Sequence, residues 1–128
     1  MCGISSFIGD ENAYRKILDG LLQLQNRGYD SAGISIFEKG NIITHKYASS
    51  TNSSALDKLE KYNYENNHVG IGHTRWATHG AKTDTNSHPH ISFNEKFVLV
   101  HNGIIENFQE IKTFLESKGI SCIYQTDT

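Results

Sequence analysis

Apolar and polar positions divide this chain into short alternating segments and two longer periodic ones. Cys2, Ile4, Ser6 and Ile8 share one face at period two, which predicts a strand over Ile4 to Ile8 closed by Gly9-Asp10. Asn12 to Gln25 carries Tyr14, Ile17, Leu18, Leu21 and Leu22 at three- and four-residue steps, the pattern of an amphipathic helix, and Gly28 suits a left-handed C-terminal stop. Ala32 to Phe37 alternates again, Gly40-Asn41 signals a hairpin, and Ile42 to Tyr47 returns. Ser53 or Ser54 caps a short helix through Tyr62, with Leu56 and Leu59 on its apolar side. His68 to Thr74 begins another strand, with Val69, Ile71 and His73 on one face. From Arg75 to Asn94 no apolar period exists. Phe97 to His101 reads as a buried strand, Phe108 to Lys118 as a helix with Phe108, Ile111, Phe114 and Leu115 inward, and Ile120 to Tyr124 as a last strand burying Cys122.

Strands paired in antiparallel fashion, with helices between the pairs, define an α+β layered fold with helices packed on sheet. The inventory suits part of a larger sandwich, because a lone sheet leaves one face uncovered. At 128 residues the chain is one small domain or a part of one. Its net charge of −2 gives no basic footprint for nucleic acid, and no apolar run approaches the length that spans a bilayer. The two cysteines, Cys2 and Cys122, form neither a disulfide framework nor a metal-ligand spacing. With no charged-then-apolar leader at the N-terminus, these features point to the cytoplasm.

Four stretches carry candidate chemistry. Cys2 becomes the first residue if Met1 is removed, and then holds a thiol and a free α-amine. The amine, with an ordinary pKa of about 7.7–8.0, can take the thiol proton, so one residue supplies nucleophile and base. The alternative is a small hydrophobe at the start of a strand. Gly72 to Gly80 is the densest cluster of specific side chains: Arg75 offers a fork matched to a carboxylate, Trp76 is the only tryptophan, and Thr78 and His79 add hydrogen-bonding groups. A solvated loop with an aromatic plug is the competing reading. Gly70-x-Gly72 is no dinucleotide fingerprint, because the third glycine is misplaced and no helix follows. His88-Pro89-His90, with His73, His79 and His101, raises zinc binding, but no cysteine or carboxylate stands at ligand spacing. Val100-His101-Asn102-Gly103 ends a strand with an amide and a backbone N–H that can share one oxygen, the layout of an oxyanion hole, or else forms an ordinary Asn-Gly turn.

These segments, together with Leu24 to Gly33, Asn86 to His90, Val100 to Asn107 and Thr126-Asp127-Thr128, resemble in order and register the glutaminase domain of the glutamine–fructose-6-phosphate amidotransferases. The first and fifth motifs are shared by class II glutamine amidotransferases generally, whereas Arg27 to Ser31 and Thr74 to His79 favour the hexosamine branch. The resemblance implies a class II glutamine amidotransferase domain over residues 1–128, of the N-terminal-nucleophile hydrolase type, with an αββα sandwich of antiparallel sheets, here in part. It implies that Cys2, freed of Met1, attacks the side-chain amide of L-glutamine, with its own α-amine as base and then as acid to the leaving ammonia. Asn102 and Gly103 match the oxyanion positions, and Arg75 the residue that grips the α-carboxylate. Thr78 and His79 line the same pocket. Asp127, with the Gly103 carbonyl, matches the groups that hold the α-amine. Trp76 lies in the loop that closes over glutamine, and Arg27 and Gly28 form the turn beside the nucleophile. Neither cofactor nor metal is called for, and the implied product is ammonia for glucosamine 6-phosphate synthesis from fructose 6-phosphate.

The departure is length. The family's glutaminase domain continues past Asp127, so about half of it is expected here and none of the sugar-phosphate isomerase region, which another chain or domain would supply. Unpaired strand edges and an uncovered apolar face then predict self-association and little turnover by this chain alone. The competing functional reading is a homologue that binds glutamine, or a partner amidotransferase, without turnover.

Overall fold

The computed structural model describes residues 2–24, 30–76 and 80–128. Its main sheet has four antiparallel strands in the order β1-β4-β2-β3: β1 (Gly3–Ile8), β2 (Ser31–Glu38), β3 (Asn41–Ala48) and β4 (Asn67–Arg75). Helix α1 (Ala13–Leu24) lies across one face, and the short helix α2 (Ala55–Leu59) packs beside it on β2 and β3. A two-stranded hairpin, β5 (His90–Ile91) with β6 (Val98–Leu99), and helix α3 (Phe108–Ser117) follow.

The expected heptad-like stripe of α1 is its buried face. Tyr14, Ile17, Leu18 and Leu21 are all at most 1% exposed and meet Ile34 and Ile36 of β2 and Leu56 and Leu59 of α2. Asn12 caps α1, its Oδ1 accepting the Arg15 N–H at 3.1 Å, and Asn67 Oδ1 reaches across from β4 to accept the Tyr14 N–H at 2.7 Å. Ser54 and Asp57 form a reciprocal capping box on α2. The glycines of β4 explain the close seat of α1. A Cβ on Gly70 would lie 2.8 Å from Ile17 Cδ1, and one on Gly72 would overlap Ile17 Cγ2. The Gly-x-Gly pair is thus a helix seat, which its spacing alone did not identify.

Several expectations change. The hairpin turn is centred on Lys39 (φ 51°) and Gly40 (φ 82°), one residue before the Gly40-Asn41 signal, with Glu38 paired to Asn41. Cys2, Ile4, Ser6 and Ile8 do lie on one side of β1, but that side faces away from α1: Ile4 is 44% and Ile8 84% exposed, while Gly3 and Ser5 lie against Leu24 and Gly20 of the helix. The Phe97 to His101 run forms only the two-residue β6, with Phe97 and Leu99 exposed, because its one strand partner is the equally short β5. Helix α3 occurs where expected yet buries none of its residues, Ile111 and Phe114 included, because among the described residues no strand or helix packs closely on it. Ile120 to Tyr124 pairs with no strand and is irregular, so Cys122 is half-buried rather than enclosed in a sheet. The proposed glycine stop at Gly28 lies outside the described residues.

On the face opposite α1, residues 86–90 lie flat against β2 and are buried. Gly33 is where they touch: a Cβ there would overlap the His88 carbonyl oxygen and approach Lys46 Cβ to 2.7 Å. Gly33→Ala is therefore expected to cost about 1–3 kcal/mol of stability by forcing backbone apart. Urea unfolding of the variant checks this, and an unchanged midpoint would contradict the packing.

Candidate active site

Strand pairing sets the site. Register Gly3↔Thr74 between β1 and β4 brings the N-terminus beside the end of β4, and the Gly3 N–H donates to Thr74 Oγ1 at 3.1 Å. Cys2, one residue earlier, then lies beside Trp76: the Trp76 N–H donates to Cys2 Sγ at 3.2 Å, and Sγ lies 3.6 Å from the Trp76 carbonyl oxygen. Asn102, which follows β6 and the irregular residues 100–101, donates through Nδ2 to the Cys2 carbonyl at 3.2 Å and accepts at Oδ1 from His73 Nε2 at 2.6 Å. Residues 2, 76 and 102 therefore converge, and Gly103 follows Asn102 on the exposed surface.

Arg75 is only 4% exposed, with Nη1 donating to the Ala81 carbonyl at 3.2 Å. Burial lowers its pKa, and the coulombic influence of Cys2 and Asp30 opposes that shift. Trp76 is 48% exposed. Asp127 lies further off: its Oδ2 accepts the Ile105 N–H at 2.6 Å, which ties the C-terminal segment to the loop after Gly103. Arg27, Gly28, Thr78 and His79 lie outside the described residues. A separate groove of about 570 Å³, between the β5–β6 hairpin, α3 and residues 120–128, includes Asp127 but neither Cys2, Asn102 nor Arg75.

Three of the histidines, His73, His88 and His90, form a column of ring contacts that ends on Tyr124. His73 and His88 lie 4.2 Å apart, His88 and His90 4.1 Å, and His90 and Tyr124 4.2 Å. Among the described residues no group of His, Cys, Asp or Glu is arranged to hold a metal ion. Lys46 underpins the column, its ammonium donating to the carbonyls of Thr85, Ser87 and Pro89 at 3.0–3.2 Å and lying 4.6 Å from the centre of the Tyr124 ring. Burial lowers Lys46 to about 8, but three carbonyl acceptors favour its charged form. The Lys46 role was not legible in the sequence, where it is one more polar residue in a strand. Asn86 joins the same segment to Gln125 by two hydrogen bonds, of 2.9 and 3.1 Å.

The fold and this convergence define a class first. The structure is similar to glutamine phosphoribosylpyrophosphate amidotransferase from B. subtilis complexed with ADP and GMP, with a TM-score of 0.74 and 26% identity over 100% of this chain and 27% of that one. It is similar also to a structure described as the allosteric regulatory enzyme of purine biosynthesis, with a TM-score of 0.72 and 29% identity over 98% of this chain and 27% of that one. The α+β arrangement of antiparallel sheets and helices is that of the N-terminal-nucleophile hydrolase amidotransferases. Residues 56–128 match the glutamine amidotransferase domain model, and the chain belongs to that family. Among similar proteins are the glutamine–fructose-6-phosphate aminotransferases (isomerizing) of Caldanaerobacter subterraneus subsp. tengcongensis, 49% identical over 128 residues, and of Pyrococcus horikoshii, 48% identical over 131. Each match takes in all of this chain and 21% of the relative, so the chain spans about a fifth of the length of these relatives.

The buried column makes stability depend on pH. Burial lowers His73 to about 4, His88 to about 2 and His90 to about 3, with Arg75 and Lys46 adding repulsion at the last two. Unfolded, each imidazole takes its proton near pH 6.5, so below that pH the unfolded chain binds more protons and folding weakens as pH falls. At pH 5 the loss is on the order of 2 kcal/mol for each imidazole that stays neutral. Unfolding by urea at pH 7.5 and pH 5 should show this drop, and His88→Gln should shrink it. Equal stability at both pH values would mean the rings titrate freely.

Proposed function

We propose that this chain carries the glutamine-hydrolysing chemistry of a class II amidotransferase, in one domain spanning residues 1–128, with Met1 removed. What supports the reading most is the approach of Trp76 N–H and the Asn102 amide to Cys2, each at 3.2 Å, beside a buried arginine. The Cys2 thiol passes its proton to its own α-amine, and sulfur attacks the side-chain carbonyl carbon of L-glutamine. Negative charge collects on the carbonyl oxygen, where the Asn102 Nδ2–H and the Gly103 N–H stabilise it. The C–N bond breaks, the ammonium of Cys2 returns its proton to the leaving ammonia, and a γ-glutamyl thioester remains. Water then attacks the thioester, releasing glutamate and regenerating the thiol.

Arg75 is the group for the substrate carboxylate, its two-pronged fork exchanging part of its contact with Ala81 for the ligand. Asp127, with Oδ2 engaged by Ile105, offers its other oxygen to the substrate α-amine, together with the Gly103 carbonyl. Trp76 covers the pocket; Thr78, His79, Arg27 and Gly28, outside the described residues, keep only the substrate-binding and supporting roles that the resemblance implies. The ammonia serves glucosamine 6-phosphate synthesis from fructose 6-phosphate, on an isomerase region supplied elsewhere; the relatives' names carry fructose 6-phosphate and an isomerizing activity. A cytoplasmic setting accords with the reduced thiol this chemistry needs; no described helix is long and apolar enough to cross a membrane.

Glutamate release from glutamine tests the reading. In protein completed to the length of the relatives, Asn102→Ala should lower kcat by roughly 10²–10³-fold, whereas Arg75→Lys should chiefly raise KM for glutamine. Unchanged kinetics in both variants would sink the assignments, and glutamine binding without turnover would leave a binding module. Separately, a glutamine-like diazoketone should alkylate Cys2 ahead of the half-buried Cys122, in protein whose mass shows loss of Met1. Alkylation of Cys2 in chains that retain Met1 would overturn the amine as base.

A further inference from the structure

We propose that His73 is a positioning residue for this reaction: the N–H at its Nε2, donated to Asn102 Oδ1, fixes which end of the Asn102 amide faces Cys2. The inference rests on the reading of Asn102 as the group that meets the developing oxyanion.

The two ends of an asparagine amide are nearly the same size, so packing barely distinguishes them; hydrogen-bond partners do. Asn102 is exposed, in a segment that belongs to no strand or helix. His73 is its opposite: fully buried, held in β4 between Ile4 of β1 and Gly33 of β2, with its ring stacked on His88 at 4.2 Å and 20°. The rigid partner therefore orients the loose one. Asn102 Nδ2 donates to the Cys2 carbonyl, so Oδ1 is the end 2.6 Å from His73 Nε2. An amide oxygen only accepts, so Nε2 must carry the proton. The neutral ring then leaves Nδ1 as a bare acceptor, and Nδ1 is indeed buried without a hydrogen-bond partner. Were the amide reversed, its oxygen would face the Cys2 carbonyl and later the oxyanion, repelling both. His73 thus sets the sign of the dipole presented to the reacting oxygen while remaining outside the substrate pocket.

Two measurements test this. In glutamine hydrolysis, His73→Phe keeps a flat ring against His88 but removes the donor. It should lower kcat about 10–100-fold with KM for glutamine nearly unchanged, and cost less than about threefold more when added to Asn102→Ala. Losses that multiply fully, or an effect on KM alone, would overturn the proposal. If Asn102→Ala is without effect in an active protein, the reading of Asn102 fails instead. The second measurement needs neither variant nor turnover. Long-range ¹H–¹⁵N correlation on the labelled chain at pH 7 should find His73 in the Nε2–H tautomer, with the two Asn102 side-chain amide protons resolved. A proton on Nδ1, or a doubly protonated ring, would overturn the proposal even in a chain that hydrolyses no glutamine.

Discussion

The pairing of β1 with β4 is the constraint on which the rest depends. It joins residues 71 apart in sequence, Gly3 and Thr74, and its register decides what Cys2 faces. A slip of one residue would turn the Cys2 side chain to the other side of the sheet and separate it from Trp76. The register is held by fit: a Cβ on Gly3 would lie 2.7 Å from Leu24 Cδ1 and 2.8 Å from Thr74 Oγ1. The residue after Cys2 is thus small because the last turn of α1 and the end of β4 close over it. Chemistry at position two and packing at position three are one arrangement.

The two faces of that sheet are stabilised by different physics. Toward α1 the contacts are apolar and close, with glycines in β4 letting Ile17 and Leu21 reach the backbone. Hydrophobic burial drives that layer, and it depends little on pH or salt. Toward residues 86–90 the contacts are polar and specific. Stacked neutral imidazoles, one lysine spending its ammonium on three carbonyls, and Asn86 joined to Gln125 fill the space. Buried polar groups hold only when their partners are in place, so this layer defines geometry where the first supplies stability. The candidate site lies at the border of the two, with Cys2 just before β1, the strand paired to the one that seats the helix, and Asn102 tied to the imidazole column.

Farther along the polar-column side of the sheet, and on α3, apolar residues stay open. Ile8 is 84% exposed, Phe37 49% and Phe114 60%.

Local order was legible in the sequence where a single element determined it. The period of α1, a serine cap at Ser53 or Ser54 and the four long strands follow from spacing and side-chain chemistry, because propensity, capping and amphipathic period act within a dozen residues. The ordered set of motifs carried the family. Tertiary structure alone decided the rest. Which side of β1 packs, why Gly70 and Gly72 are glycines, the failure of Ile120 to Tyr124 to become a strand, and the conversion of a metal-like histidine set into a stacked column depend on contacts between residues tens of positions apart. So does the link from His73 through Asn102 to Cys2. Hydrogen bonds and ring contacts of that kind have no period in the chain, and they exist only once the β1–β4 register has brought the segments together.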